Sequence, residues 1–159
     1  MQERYYKYIQ RKLSEESSPV YEKGYPSFEA VNGYPFKWDN RFMDMAKMIS
    51  TWSKDPSSKI GAVAVNDERR ILATGYNGFP KGIGSNHLSW SREAQHKLDT
   101  KYPYVVHAEK NAIYNATESV IGASLYVTMY PCCECAKDII QSGIREIYYL
   151  KNPYKNKWF

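Results

Sequence analysis

The stretch from Ser124 to Leu150 reads SLYVTMYPCCECAKDIIQSGIREIYYL, and it decides the fold. Its pattern predicts a strand over 124–128, a helix over 132–142 that Gly143 closes, and a final strand over 146–150. Two strands joined through a helix form a parallel crossover, which is expected to be right-handed. A parallel element of this kind is typical of α/β proteins.

The residues before this stretch predict an antiparallel hairpin and three further helices. The predicted strands are Ile60 to Asn66 and Ile71 to Gly75, and the predicted helices run from Asp39 to about Ser53, from Ser89 to Asp99 and from near His107 to near Ala116. The order is therefore α-β-β-α-α-β-α-β. It implies a mixed central sheet, an antiparallel hairpin plus parallel strands, with helices on its faces.

The chain has 159 residues, which suits one domain with an arm. Residues 1–37 are rich in turn formers, yet they carry eight Tyr and Phe side chains. A disordered tail seldom has so much aromatic surface. We expect an aromatic-rich arm over 1–37, which packs on its own domain or on a neighbouring subunit, and a second unit over 38–159.

Composition excludes several classes of protein. Hydrophobic residues make up 43% of the chain and charged residues 25%, as in ordinary globular proteins. The longest aliphatic stretch lies near Ile60 to Val65, far short of the ~20 residues that cross a bilayer. The charged N-terminus has no apolar region typical of a secretory signal. We therefore expect a cytoplasmic protein without membrane association.

The formal net charge of +5 is spread along the chain. A nucleic-acid-binding protein usually concentrates its basic residues in one stripe, and this sequence has no such run. The distribution argues against nucleic acid as the main ligand and is compatible with a small anionic substrate.

All three cysteines lie between Cys132 and Cys135. An odd, clustered set does not form a disulfide framework, so we infer a reducing compartment and a metal-binding or catalytic use. Cys132 and Cys135 are three residues apart and share a helix face, whereas Cys133 points elsewhere. Both thiols fall in the first helical turn, where the helix dipole favours thiolate.

His107 at the start of another helix can supply a third ligand. One imidazole and two thiolates favour zinc, and three protein ligands leave a coordination position for water, as in catalytic zinc sites. Glu109, two residues from His107, is placed to take a proton from such a water and to pass it to a substrate nitrogen.

Two other interpretations of these residues remain open. The zinc could be purely structural, or Cys132 and Cys135 could form a redox pair. The combination of His-x-Glu with Pro-Cys-x-x-Cys, each at a helix start, is the signature of zinc-dependent nucleobase deaminases.

From about Phe36 to Ile147 the chain resembles the deoxycytidylate (dCMP) deaminases of the cytidine deaminase superfamily. The resemblance rests on six pieces of sequence, SKDP at 53–56, GA at 61–62, GYNGFPKG at 75–82, KLDTKYPYV at 97–105, HAEKNAI at 107–113 and PCCECAK at 131–137. The last two mark the superfamily, and the loop at 75–82 with the run at 97–105 marks the dCMP branch.

The resemblance implies a three-layer α-β-α fold and a zinc-dependent hydrolase. Zinc would be bound by His107, Cys132 and Cys135. Hydroxide would attack C4 of cytosine, and Glu109 would protonate N3 and then the leaving amine. The products would be dUMP, which supplies thymidylate synthesis, and ammonia.

The resemblance also implies substrate contacts. The backbone N–H of Ala108 would bind the base carbonyl and Asn77 the sugar hydroxyl. Tyr154 and Lys155 would bind the 5′-phosphate, with Arg92, Lys97 and Lys101 as further candidates. Deamination of free cytidine, cytosine, guanine or a tRNA base remains an alternative activity.

Regulation is implied as well. In this family dCTP with Mg²⁺ activates, and dTTP inhibits, a homohexamer through a second nucleotide site near the Gly-rich loop. Its residues here would be Gly78, Phe79, Pro80 and Gly82. Turn formation alone would also explain the glycines, because glycine admits positive φ.

Overall fold

The computed structural model describes residues 37–84, 87–151 and 153. Its helices are α1 (Lys37–Ser50), α2 (Ala108–Asn115) and α3 (Cys133–Gln141), and its strands are β1 (Gly61–Val65), β2 (Ile71–Tyr76), β3 (Ser124–Met129) and β4 (Glu146–Lys151). A short 3-10 helix spans Lys97–Asp99. The predicted arm lies outside the described residues except for its last position, so the division between 1–37 and 38–159 stays a prediction.

The sheet has four strands in the order β2-β1-β3-β4. Strand β1 pairs antiparallel with both β2 and β3, and β3 pairs parallel with β4. The predicted hairpin, the parallel crossover through α3 and the mixed sheet are therefore confirmed. Asn66 closes the hairpin, because its carbonyl accepts from the Arg69 N–H at 2.9 Å and its Oδ1 from the Arg70 N–H at 2.9 Å.

Helices cover both faces of the sheet, which confirms the expected three layers. On one face, α1 packs its buried apolar side chains against alternate residues of the central strands, Val63, Val65 and Tyr126. On the other face, α2 and α3 cover Ala62, Ala64, Leu125 and Val127. All five residues of β1 are buried, as in a strand that is enclosed on both faces. None of the helices in the described ranges has the length and apolarity to cross a membrane.

Helix α2 lies unusually close to β2 at Gly75. A Cβ atom at this position would lie 2.3 Å from the carbonyl oxygen of Ala108 and 2.3 Å from the backbone N of Ala112. Neither backbone atom can move aside without shifting the helix. The missing side chain of Gly75 therefore lets the first turns of α2 rest on the sheet.

The segment before α2 differs from the prediction. A helix was expected over Ser89 to Asp99, but only the 3-10 turn at Lys97–Asp99 is helical. Every residue from 91 to 99 is exposed, so a helix here would have no apolar face to bury. Local contacts are made instead, such as the Ser91 hydroxyl donating to the Glu93 carbonyl at 2.6 Å.

The first helix also differs at both ends. The predicted helix starts at Asp39, but α1 begins at Lys37 and the Asp39 carboxylate accepts from the Tyr126 hydroxyl at 2.7 Å. The helix ends at Ser50 rather than near Ser53, and Trp52, which lies within the predicted helix, is 52% exposed.

Gly75→Ala is expected to lower the free energy of unfolding by about 1–3 kcal/mol or more, because the new methyl group overlaps the backbone of α2. Thermal unfolding of the two proteins measures the loss. Gly84→Ala is the matched control, since its Cβ would meet only the His87 ring at an ordinary 3.7 Å. Equal unfolding temperatures for wild type and Gly75→Ala would contradict the close approach.

Candidate active site

Two helix starts converge at the site. His107 is the N-cap of α2 and Cys132 is the N-cap of α3, both with extended backbone. Neither side chain caps its own helix, so the imidazole and the thiol are available to other partners. The entry to α2 is fixed by a pair of backbone hydrogen bonds between Gly78 and Val106, at 3.0 and 2.8 Å.

The three predicted ligands are brought together. His107 Nδ1 lies 3.5 Å from Cys132 Sγ and 3.2 Å from Cys135 Sγ, and the three atoms all lie within 4.8 Å of one another. Donors bound at 2.0–2.3 Å to one tetrahedral ion lie roughly 3.5 Å apart, so the set fits zinc in both its chemistry and its spacing. Cys133 lies outside the group, as expected.

The pKa values of the three donor side chains depend on one another. The pKa of Cys132 is lowered to about 3, first by its hydrogen bond with Cys135 and then, against burial, by His107. The pKa of Cys135 is raised by the neighbouring Cys132 thiolate and by burial. The pKa of His107 is raised by its hydrogen bond to Cys132. Because thiolate and neutral imidazole are the forms that bind a metal, metal binding is linked to proton release from this group.

Glu109 lies beside this set at the second position of α2. It is only 4% exposed. Burial raises the pKa of its carboxyl group, although His107 and the helix backbone partly oppose the shift. A carboxyl group whose pKa is raised by burial accepts and returns a proton more readily near neutral pH than an exposed one. The predicted catalytic residue is thus buried next to the predicted metal ligands.

The site opens into a cavity of about 250 Å³. Its walls contain two of the three ligands, His107 and Cys132, and Glu109, together with a second polar group, while Cys135 is buried behind them. The lining residues are Asp55, Ser58, Ile60, Asn77, Arg92, Lys101, Tyr102, Val105, His107, Ala108, Glu109, Met129, Tyr130 and Cys132.

A buried ion pair forms part of that second group. Lys101 Nζ lies 2.6 Å from Asp55 Oδ2 and 2.5 Å from the Ser57 hydroxyl, with the side chains of Lys101 and Asp55 only 7% and 2% exposed. The other carboxylate oxygen accepts from the Ser57 and Ser58 backbone N–H groups at 2.8 and 3.1 Å. Burial opposes the charged form of Asp55, but these hydrogen bonds outweigh it and lower its pKa.

No role in the site was predicted for Asp55 from the sequence, although it lies within the SKDP motif. Its partner Lys101 is 46 residues away in the sequence, and no short-range sequence pattern predicts a contact over that separation. The structure places the two other basic candidates for phosphate binding, Arg92 and Lys97, differently with respect to the cavity. Arg92 lines the cavity and donates its Nε–H to the Tyr102 hydroxyl at 3.0 Å, whereas Lys97 is not among the lining residues.

The predicted base and sugar contacts both line the cavity. Ala108 is fully buried, and its N–H precedes the first helical hydrogen bond, from Asn111 N–H to His107 O. Asn77 is committed to the protein: its Nδ2 donates to Ser58 O at 2.8 Å and Asp55 Oδ2 at 3.3 Å, and its Oδ1 accepts from the Ile60 N–H at 2.8 Å. One lone pair of Oδ1 remains for a sugar hydroxyl. Tyr154 and Lys155 lie outside the described residues.

The Gly-rich loop has its own packing. Phe79 stacks on Trp90 with ring centroids 4.0 Å apart, and the carbonyl of Pro80 accepts from the Ile83 N–H at 3.1 Å. Of the loop glycines, Gly82 alone has positive φ, at 83°, and nothing lies within 4 Å of a Cβ placed there. Positive φ therefore explains Gly82, and close approach to α2 explains Gly75.

A His/Cys/Cys donor set at two helix starts, with a buried Glu beside the His, defines the class of zinc-dependent nucleobase deaminases. The chain belongs to the cytidine and deoxycytidylate deaminase family: residues 36–151 match the family described as "Cytidine and deoxycytidylate deaminase zinc-binding region".

Relatives and solved structures agree with this family. The deoxycytidylate deaminases of Homo sapiens and Mus musculus are each 50% identical over 119 residues, which are 74% of this chain and 67% of theirs. The structure of the cyanophage S-TIM5 dCMP deaminase in complex with dCMP and dUMP is 32% identical, with a TM-score of 0.59. That comparison covers 72% of this chain and 80% of the phage chain.

Asp55→Asn is expected to destabilise the fold at pH 7 by about 3 kcal/mol, because Lys101 stays buried without its counter-charge. The folded pKa of Asp55 lies below its ordinary 3.8, so its contribution is complete above about pH 4 and is lost as the pH falls through the lowered value. Chemical denaturation at pH 7 and below pH 3 should therefore show a gap between wild type and variant that closes in acid.

The control for this comparison is Asp44→Asn, which breaks an exposed ion pair with Lys47. Its effect should be within about 0.5 kcal/mol at both pH values. A gap between wild type and Asp55→Asn that does not narrow in acid would contradict the role assigned to the carboxylate.

Proposed function

We propose that this protein is a zinc-dependent dCMP deaminase that converts dCMP to dUMP and ammonia. The observation that supports it best is the group of His107, Cys132 and Cys135, of which His107 and Cys132 line one cavity together with the buried Glu109. The relatives named deoxycytidylate deaminase and the phage enzyme solved with dCMP and dUMP favour this substrate among those of the family. The dUMP would supply thymidylate synthesis.

His107, Cys132 and Cys135 would hold the zinc ion. When bound, zinc supplies Lewis-acid activation of water, whose pKa falls toward ~7. Three protein donors suit this catalytic use better than a structural one, since structural zinc sites normally have four. The described residues place three His, Cys or carboxylate donors in this group.

Glu109 is the proton carrier. Burial keeps the carboxyl group away from bulk water and raises its pKa, so the carboxylate is a stronger base that can take a proton and then return it to the substrate. It would protonate N3 of the cytosine ring and then the leaving amine. The free N–H of Ala108 at the electropositive start of α2 would bind the base carbonyl as charge develops on the ring.

The sugar and phosphate would meet the second polar group of the cavity. Asn77 Oδ1 would accept a hydrogen bond from the sugar hydroxyl with its remaining lone pair. Lys101 uses two of its three N–H donors on Asp55 and Ser57, which leaves one for a phosphate oxygen. Arg92 keeps both Nη groups beyond its bond to Tyr102, and Tyr154 and Lys155 would add to this site.

Regulation and assembly belong to the same proposal. The loop residues Gly78, Phe79, Pro80 and Gly82 would bind dCTP with Mg²⁺ as an activator, with dTTP as an inhibitor, in a homohexamer. The loop is directly connected to the start of α2, because Gly78 is hydrogen-bonded to Val106, one residue before His107. A nucleotide that moves this loop would therefore also shift the start of α2, where His107 lies.

The decisive assay follows loss of the cytosine absorbance with dCMP, with and without dCTP. Glu109→Gln should keep zinc and fold while turnover falls about 10²–10⁴-fold, because general acid–base catalysis is removed. Zinc content and thermal unfolding provide the controls. Turnover near the wild-type value would remove Glu109 as the proton carrier, and a flat response to dCTP at sub-saturating dCMP would remove the proposed activation.

Arg92→Gln tests recognition of the phosphate. The kcat/KM for dCMP should fall roughly 10–100-fold, since a hydrogen bond to a charged group contributes about 1.5–3 kcal/mol, while the lower value for deoxycytidine should stay nearly unchanged. Lys97→Gln is the matched control, because Lys97 is an exposed cation of the same segment that does not line the cavity. Equal losses for dCMP and deoxycytidine would exclude a phosphate contact.

A further inference from the structure

A second contact joins α2 and α3 one turn beyond the metal-binding donors. Lys110 follows His107 by three residues, and Asp138 follows Cys135 by three residues. Residues three apart lie on the same helix face, so each of these side chains lies on the side of its helix that carries the donor. The two helices therefore make a second contact one turn after the contact between the donors.

The contact is an ion pair in a partly buried place. Lys110 Nζ lies 2.8 Å from Asp138 Oδ2, and the two side chains are 29% and 36% exposed. Within the described part of the chain, this Oδ2 atom is buried and accepts no aligned hydrogen bond, so the ammonium group is what compensates its charge. The pKa of Lys110 is raised by the same carboxylate.

The ion pair adds a polar contact to the apolar packing between the two helices, in which Ala108 and Ala112 share a core cluster with Cys135 and Ile139. The two helices have only 8 and 9 residues, too short to be stable without packing. They also depend on different parts of the sheet, because α2 rests on β2 at Gly75 whereas α3 connects β3 to β4. Small shifts of one helix relative to the other would separate His107 from Cys135.

We propose that Lys110 and Asp138 are positioning residues, whose ion pair holds α2 against α3 so that the zinc-binding donors stay assembled and the metal is released slowly. The proposal rests on the zinc centre of the proposed function. It concerns retention of the metal, and neither residue lines the cavity or contacts the reacting atoms.

The test is a double-mutant cycle on the zinc-loaded protein, with transfer of zinc to a chromophoric chelator as the readout. Lys110→Leu and Asp138→Leu should each speed zinc release roughly three- to ten-fold, because each leaves one charge unpaired between the helices. The double variant should release zinc within about two-fold of wild type, since an apolar pair of similar volume can replace a buried ion pair.

Two controls separate positioning from general stability. Asp44→Asn breaks an exposed ion pair of the same 2.8 Å length on α1 and should release zinc at the wild-type rate. Thermal unfolding of the metal-free proteins is measured in parallel. A merely structural role would lower the unfolding temperature of the single variants without changing zinc release from the folded protein, and that result would overturn the proposal.

The remaining outcomes are also decisive. Wild-type release rates in both single variants, or additive effects in the double variant, would show that the pair does not couple the helices and would overturn the inference alone. A wild-type protein that retains no zinc under the same conditions would overturn the metal centre itself, and the positioning role with it.

Discussion

The structure depends on holding two helix starts at one point. His107 and Cys132 are 25 residues apart in the chain, yet Nδ1 of one lies 3.5 Å from Sγ of the other. Each start is fixed by the backbone that leads into it, because an isolated bridge between Gly78 and Val106 precedes α2 and the sheet strand β3 precedes α3. Neither helix is long enough to form alone, so the donor geometry is a product of the core rather than of the local sequence.

The same constraint sets the electrostatics of the site. A helix start presents unpaired N–H groups and the positive end of the dipole. Two such starts favour thiolate at Cys132, and they also favour negative charge that develops on a bound base. Glu109 can stay close to these groups because its burial disfavours a full negative charge of its own. The buried Glu109 and the metal-binding donors can thus lie side by side, as the proposed function requires.

The elements that could be predicted from the sequence are those whose signal is local. The hairpin, α2, α3 and β4 have apolar patterns bounded by turn residues, and their observed bounds lie within one residue or so of the predicted ones. The three metal donors were predictable because a helix start with Cys at spacing three leaves few geometric choices. Two predictions were wrong because they depend on the tertiary fold. The helix start at Asp39 was wrong because its carboxylate pairs with the distant Tyr126, and the helix over Ser89 to Asp99 was wrong because this segment has no apolar contact.

What the sequence could not supply is the second polar group of the cavity. Asp55 reaches Lys101 and Asn77 across 46 and 22 residues, so its role follows from the fold and not from spacing. The Asn77 side chain, which was expected to bind sugar, is mostly occupied in holding the wall of the cavity.

This contrast has a physical basis. The metal donors and the acid lie at helix starts that the core fixes, whereas the groups suited to sugar and phosphate lie in irregular segments, Asn77 directly after β2 and Arg92 and Lys101 within 87–105. Those segments keep their shape through the buried Asp55–Lys101 pair and a few hydrogen bonds, so substitutions there can change the recognised ligand while the helix starts stay in place. Under the proposed function, we therefore expect the deaminase chemistry to depend on the fold and the choice of substrate to depend on the loops that the ion pair organises.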